Sequence, residues 1–272
     1  IVAFVSLWIF VFSIGYMAEE EDIGRYWFLM NIFLSAMLML VVSMSLLQLF
    51  IAWEVVGLCS WALISFWFKS TAPSPVKGFK NEGEYNAHCG MKALITTSLA
   101  DAFFLVGIAI IGFAILSSEG IITFDMRVMS SSVGWLEFLA NARMLPLLAV
   151  LLISGPIGKS AQFPYHEWLP EAMAGPTTVS ALIHAATMVK AGAYFVGRFY
   201  IIIEELSRVS GVPRGITVFF MIAAYIGAFT SFLAATQAVV AKELKKILAY
   251  STISQLGYIF AAFGLAGYLM DH

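Results

Sequence analysis

Five ionisable residues lie inside stretches of sequence that are otherwise apolar: Glu54, Asp101, Lys159, His184 and Lys190. A charge at the centre of a lipid bilayer costs on the order of 3 kcal/mol, so such residues need partners or a function. A carboxylate and an amine that are shielded from bulk water change each other's affinity for protons. These residue types therefore indicate proton transfer across a membrane, by groups that load and release a proton in turn.

Each of these residues also has a structural explanation, which the sequence leaves open. Glu54 fits a structural ion pair or a protonated carboxyl, and Asp101 fits a contact between helices or a salt bridge to a lysine. Lys159 fits a side chain that caps the free carbonyls of a broken helix. His184 fits a hydrogen-bonded core histidine. A structural explanation suits Lys190 least, because an unpaired ammonium in a packed core is energetically costly.

The spacing of His184 and Lys190 predicts how they are arranged. On a regular α-helix, six positions separate two residues by roughly 120° around the axis and by about 9 Å along it. The two side chains would then not share a narrow face. We expect them to be separate stations that water connects.

The segment 155–176 interrupts an apolar run with prolines and charged residues. Pro164, Pro170 and Pro176 each remove a backbone donor, and a break at membrane depth is tolerated only inside protein or beside a wet cavity. We therefore predict one proline-broken helix at mid-membrane, over 144–174. Other polar residues of this segment, which either shape or gate the site or simply face water, are His166, Glu167 and Glu171.

Composition defines the class of protein. Hydrophobic residues make up 61% of the chain, charged residues 12%, and the mean hydropathy is +0.89, as in a polytopic protein of the lipid bilayer. The net charge of −2 argues against a nucleic-acid partner. Cys59 and Cys89 form no C-x-x-C pair, and we expect no metal or iron–sulfur site. His88 and Cys89 are predicted to lie in a loop, without a pattern of metal ligands around them.

Apolar runs predict an all-α membrane protein of about eight transmembrane helices. We interpret the chain, 1–272, as one membrane domain and as a fragment of a longer protein. The predicted helices are at 2–17, 27–45, 46–68, 92–116, 144–174, 178–203, 217–240 and 245–269.

Three stretches resemble one protein family: "WEVVGLCSW" (53–61), "GKSAQFPYHEWLPEAMAGPTTVSALIHAATMV" (158–189) and "LKKILAYSTISQLGYIFAAFG" (244–264). They are similar to the largest antiporter-like subunit of complex I, chain 5 or chain L of NADH–quinone oxidoreductase. The resemblance implies two inverted repeats of five helices, each with a broken helix. Residues 27–203 would be the first repeat, and 217–272 the start of the second.

The resemblance also implies roles for individual residues. Lys159 matches the lysine of the family's broken helix, Glu54 its partner glutamate, and His184 a histidine of the connecting water chain. Lys190 is a departure, because chain 5 proteins often have a small or hydroxyl residue there whereas their sister subunits carry lysine. Asp101 has a supporting role in this scheme.

The function that the resemblance implies is that of a proton-translocating membrane-arm subunit in a translocating oxidoreductase. Electron transfer would then occur in partner subunits that carry FMN or FAD, iron–sulfur clusters and quinone, with no cofactor in this chain. The expected location is an energy-coupling membrane: a prokaryotic cell membrane, or a mitochondrial inner or thylakoid membrane. The stretch "KNEGEYNAHCGMKALITTSLADAF" is similar to the archaeal F420-dependent version, and NADH, reduced F420 and ferredoxin stay open as donors.

Two other functions stay open at this point. The same buried groups would serve an antiporter-like subunit of a multi-subunit Na⁺/H⁺ exchanger or of a membrane-bound hydrogenase. Alternatively, the chain is a structural part of a membrane arm, and its buried charges are inert ion pairs.

Overall fold

The computed structural model describes residues 1–210 and 214–270, and these residues form helices and their connections. Within these ranges the α-helices are α1 (Val2–Tyr16), α2 (Ile23–Val42), α3 (Leu46–Ile64), α4 (Glu82–Glu119), α5 (Met126–Ser131), α6 (Gly134–Asn141), α7 (Leu145–Lys159), α8 (Trp168–Glu171), α9 (Thr177–Ala181), α10 (Met188–Ser210), α11 (Thr217–Val240) and α12 (Leu244–Leu269). A π-helix covers Leu182–Ala186, and 3₁₀ turns cover Ala172–Ala174 and Arg214–Ile216. The predicted all-α class is confirmed.

Six helical spans in the described ranges are long and apolar enough to cross a membrane, and seven if the bent pair α6–α7 counts as one span. The pair is bent by 116°. The sequence predicted about eight spans. The difference arises at α1, whose 15 residues fall short of the roughly 20 that a span needs, and at the broken helix.

Helix α4 begins ten residues before its predicted start at 92. Asn81 caps it, because its side chain accepts a hydrogen bond of 2.8 Å from the backbone N–H of Glu84. Glu82 and Glu84 also place negative charge at the positive end of the helix dipole. His88 and Cys89 therefore lie on a helix, and the prediction of a loop at these two residues was wrong.

The predicted break in the helix over 144–174 is confirmed, and it begins directly after Lys159. Ala161 has a φ of 50°, the left-handed region that side chains other than glycine rarely adopt. The freed backbone groups find partners: the N–H of Gln162 donates to Ile157, and the indole of Trp168 donates to the carbonyl of Gly158 at 3.0 Å. The chain therefore leaves the helix before it reaches Pro164, with its backbone satisfied.

Small residues allow α7 to approach α4 closely. The hydroxyl of Ser154 donates to the Ala100 carbonyl at 2.9 Å, and one turn later Gly158 faces the Ala100 side chain. Next to this contact the ring of Phe104 lies 5.3 Å from that of Trp53 and 4.8 Å from that of Phe195. This packing fixes the register between α4 and α7, and thereby which α4 side chain meets the end of α7.

The break also contacts the last two helices. The N–H of Phe163 donates to the Thr230 hydroxyl on α11 at 3.0 Å, and the amide of Gln162 donates to the Ile253 carbonyl on α12 at 3.4 Å. Both Gln162 and Thr230 are fully buried. The irregular segment is therefore held between α7 and the pair α11–α12.

We expect Gly158→Ala to destabilise the protein by about 1–3 kcal/mol, the usual cost of overpacking. A Cβ at this position would lie 2.5 Å from the Cβ of Ala100, so α7 must shift. Gly15→Ala in α1 is the matched control, because a Cβ there meets nothing within 4 Å. Thermal unfolding can be followed with a thiol-reactive dye that reports exposure of the buried Cys59 and Cys89. Equal unfolding temperatures for the two variants would contradict this packing.

Candidate functional site

The centre of the site is a buried ion pair between Lys159 and Asp101. Lys159 is the last residue of α7, Asp101 lies on α4, and each is 1% exposed. The Lys159 Nζ lies 3.0 Å from the Asp101 Oδ2. The ammonium also lies at the negative end of the α7 dipole, which favours a cation. The Lys159 ammonium, which the sequence predicted to lie at membrane depth beside the break, therefore has a carboxylate as its direct partner.

Helix α3 supplies the rest of this cluster. The indole N–H of Trp53 donates to the other oxygen of Asp101 at 2.7 Å, so one carboxylate oxygen is hydrogen-bonded and the other is held by the ion pair. Gly57 leaves the space that the lysine fills, since a Cβ there would lie 2.5 Å from Nζ. Glu54, also on α3, is half-buried and close enough to Asp101 and Lys159 to interact electrostatically with both.

The direct partner of Lys159 is not the residue that the family resemblance implied. The resemblance paired the lysine with Glu54, whereas the residues by themselves left open a salt bridge from Asp101 to a lysine. Among the described residues, the ion pair within 4.0 Å at Lys159 is made with Asp101, and Glu54 is the neighbour of that pair. The reason is helix packing: α4 lies against α7, and Asp101 follows Ala100, which Gly158 contacts.

His184 lies in the π-helix Leu182–Ala186 and lines a cavity of about 580 Å³ between this helix and α12. Both ring nitrogens lack a hydrogen-bond partner among the described residues. Polar residues on its wall include Ser180, Lys190, Lys245, Thr252 and Gln255, although most of the lining is apolar. A space of this size has room for several waters, which these polar groups would hold.

Lys190 lies along the same cavity as His184, although its side chain is exposed in this structure. The prediction that the two residues do not share a face was based on a regular α-helix. The π-helix and the irregular backbone at Thr187, with φ −136° and ψ −96°, change the rotation between them. π-Helical segments occur frequently at functional sites.

A buried hydrogen bond from a serine side chain to a backbone carbonyl connects the two lysine-bearing segments. Ser160, the residue after Lys159, donates its hydroxyl to the carbonyl of Val189, the residue before Lys190. The distance is 2.7 Å. The end of α7, which carries the ion pair, is therefore held against the start of α10, which borders the cavity.

The polar residues after the break are placed at one margin of the site. His166 is 7% exposed, and its ring lies 5.9 Å from that of Phe163. Glu171 and Glu167 both pair with Lys92 on α4, at 2.7 and 3.4 Å. The exposure to water that the sequence allowed holds for Glu167, whose side chain is 71% exposed, whereas Glu171 is half-buried and paired closely with Lys92.

Three contributors were missed from the sequence. Trp53 and Gly57 flank Glu54 within the quoted "WEVVGLCSW", but an indole and a glycine give no sign of chemistry by themselves. Lys92 was predicted to be the first residue of a helix over 92–116, because the polar first ten residues of α4 hid its true start. The sequence did offer a signal, which was a lysine within the first turns of a long helix. It could be recognised only with the correct start of that helix, at Glu82.

The chain matches known families over nearly its whole length. Residues 43–271 match the family described as "NADH:quinone oxidoreductase/Mrp antiporter, TM". Residues 1–27 match the family described as "NADH-Ubiquinone oxidoreductase (complex I), chain 5 N-terminus". The resemblance found in the sequence is therefore confirmed.

Curated relatives with 39–40% identity cover at least 97% of this chain. They include F(420)H(2) dehydrogenase subunit L of Methanosarcina mazei (39% identical), NAD(P)H-quinone oxidoreductase chain 5 of Synechocystis sp. (40%) and NADH-quinone oxidoreductase subunit L of Campylobacter jejuni (40%). The chain spans 38%, 35% and 39% of the lengths of these three relatives.

Two solved structures share the fold. A chain of the Mrp complex from Dietzia sp. is 30% identical, with a TM-score of 0.66 over 91% of this chain and 24% of that chain. A chain of an archaeal membrane-bound sulfane sulfur reductase has a TM-score of 0.78 over 97% of this chain and 47% of that one. At 22% identity the second shows the fold alone.

We expect Asp101→Asn to destabilise the protein by about 3–5 kcal/mol, because it leaves the Lys159 ammonium buried without its counter-charge. Combining it with Lys159→Met removes both charges and should restore much of this loss. A double-mutant cycle by chemical unfolding of the purified protein measures the coupling. Additive effects of the two substitutions would contradict the ion pair.

Proposed function

The chain belongs to the NADH:quinone oxidoreductase/Mrp antiporter transmembrane family, and on this premise we propose that it moves protons as a membrane-arm subunit of a respiratory NADH- or F420H₂-dependent quinone oxidoreductase. The observation that carries the proposal is the Lys159–Asp101 ion pair at the helix break, with Glu54 beside it. The names of the relatives, which include both donor types, support the assignment.

The cluster has one more acid than base. Two carboxyl groups and one ammonium, taken out of water, carry a net charge of −1 when all three are ionised. Burial penalises this state, so a proton that binds to Glu54 or Asp101 brings the cluster to neutrality. The protons of such coupled groups belong to the cluster and not to one residue. A structural change that lengthens the Lys159–Asp101 distance would shift where the proton resides.

The second station is the cavity that contains His184 and Lys190. In our proposal a proton leaves the cluster through water, reaches the imidazole, and continues by way of the Lys190 amine. The hydrogen bond from Ser160 to Val189 holds the two stations together. Each transfer requires only a modest change in proton affinity, because one pKa unit corresponds to about 1.4 kcal/mol.

The proposal also assigns the two repeats, the location of the cofactors and the neighbouring subunits. Residues 27–203, with the break, form the first antiporter-like repeat, and 217–272 begin the second; positions 271–272 lie outside the described residues. FMN or FAD, iron–sulfur clusters and quinone belong to partner subunits, with other membrane-arm subunits as direct neighbours. His166, Glu167 and Glu171 control access at the margin of the site, where Lys92 holds the two glutamates.

The alternative function is that of an antiporter-like subunit in a cation/proton exchanger, and the likeness to the Mrp complex chain favours it. The two functions differ in their energy source. Proton movement in sealed vesicles that starts only after an electron donor is added supports the oxidoreductase. Exchange of Na⁺ for H⁺ in the absence of a donor would overturn it in favour of the exchanger.

We expect Lys159→Met and Glu54→Gln to reduce proton translocation by the full-length protein in its complex by about tenfold or more, a barrier change of at least 1.4 kcal/mol. Methionine cannot carry a proton, and glutamine cannot exchange one. Acidification assays in vesicles with a pH-sensitive dye measure the rate. Glu204→Gln is the control, because Glu204 pairs with Arg208 at an exposed position. Assembled variants that pump at the rate of this control would exclude the proposed relay.

A further inference from the structure

We propose that His88, Cys89 and Glu171 form a binding site for a zinc-type divalent metal ion, outside the proton relay. Each of the three residues offers one ligand atom, and these atoms all lie within 4.8 Å of one another. The first two residues lie on α4, whereas Glu171 is the last residue of α8, after the break. The site therefore joins two elements that are about eighty positions apart in the sequence.

The ligand set determines the class of metal. A thiolate, an imidazole and a carboxylate suit Zn²⁺, whereas Mg²⁺ and Ca²⁺ prefer oxygen ligands alone. Zinc bonds of about 2.0–2.3 Å in a tetrahedron place ligand atoms roughly 3.5 Å apart. The ligand atoms here need to move by little more than 1 Å, within the range of side-chain rotation. Three protein ligands leave the fourth position to water.

Glu171 has an oxygen available for a metal. Its Oε1 accepts a hydrogen bond of 2.7 Å from the Lys92 ammonium, while its Oε2 is buried and has no hydrogen-bond partner among the described residues. A buried carboxylate oxygen without a partner is costly. A metal bound at Oε2 would satisfy it, and Lys92 would orient the carboxylate from the other oxygen.

Charge and access also favour a dication. With the thiol deprotonated by the metal, the thiolate and the carboxylates of Glu171 and Glu167 carry −3, and the Lys92 ammonium offsets one of these charges. A dication neutralises the −2 that remains. Cys89 is fully buried and Glu171 is half-buried, but His88 is exposed, so an ion can enter from the side of the imidazole. The ring of His88 packs against Phe79, with 5.1 Å between the ring centroids, which limits its rotation.

A bound ion would restrict the movement of α8 relative to α4. The Lys92–Glu171 pair already connects the same two helices at 2.7 Å. A metal would add a second connection one turn away on α4, between the carboxylate and the pair His88–Cys89. Binding is measured without proton transport, so this inference stands or fails separately from the proposed function.

The test is a zinc titration of the full-length protein in detergent, after its metals have been removed with a chelator. Competition with a chromophoric zinc indicator gives the affinity and the stoichiometry. We expect Cys89→Ser and His88→Gln each to weaken one high-affinity equivalent by at least about tenfold. Cys59→Ser is the matched control, since Cys59 is also a free, buried cysteine but lies on α3 away from the cluster.

Cobalt gives a direct test of the thiolate ligand. With Co²⁺ in place of Zn²⁺, a sulfur-to-cobalt charge-transfer band should appear in the parent protein and in Cys59→Ser, and should be lost in Cys89→Ser. Because His88 is exposed, His88→Gln is not expected to disturb folding, and it keeps the test decisive if Cys89→Ser is unstable. Zinc affinity in His88→Gln that equals the affinity of the parent, or a parent protein that binds no zinc at all, would overturn the site.

Discussion

The ion pair between Asp101 and Lys159 is the interaction on which the arrangement of this membrane protein depends. Two charges out of water cost several kcal/mol each, and their attraction offsets this only with good geometry and further hydrogen bonds. The structure supplies a close approach of 3.0 Å between the charges and one hydrogen bond, from the Trp53 indole to the second carboxylate oxygen. Substituting either charged residue leaves the other one buried without a counter-charge, which destabilises the protein.

The surrounding helices satisfy the requirements of this pair. Small residues at the α4–α7 contact bring the backbones close enough for Asp101 to reach the end of α7, and Gly57 leaves room for the ammonium. Ending α7 at Lys159 gives the cation a helix C-terminus. The segment after the break contacts α11 and α12 through Thr230 and Ile253, so the end of α7 is held against both of these helices.

Some of this could be predicted from the sequence, because isolated charges in apolar runs are rare. Glu54, Lys159 and the broken helix were found in this way, and prolines indicated where regular structure fails. Which carboxylate pairs directly with Lys159 could not be decided, because it depends on the register of two helices whose contact residues are 58 positions apart. The π-helix at Leu182–Ala186 was also missed, since no residue type marks it. The true start of α4 depended on a single capping residue, Asn81.

The central claim is that Glu54, Asp101 and Lys159 exchange a proton during turnover. Infrared difference spectroscopy of the working complex observes this most directly, because a protonated carboxyl has a C=O stretch that an ionised one lacks. We expect a protonated-carboxyl band that changes when electron donor is added, that is lost in Glu54→Gln, and that remains in Glu204→Gln. A turnover spectrum of Glu54→Gln identical to that of the parent would contradict the account.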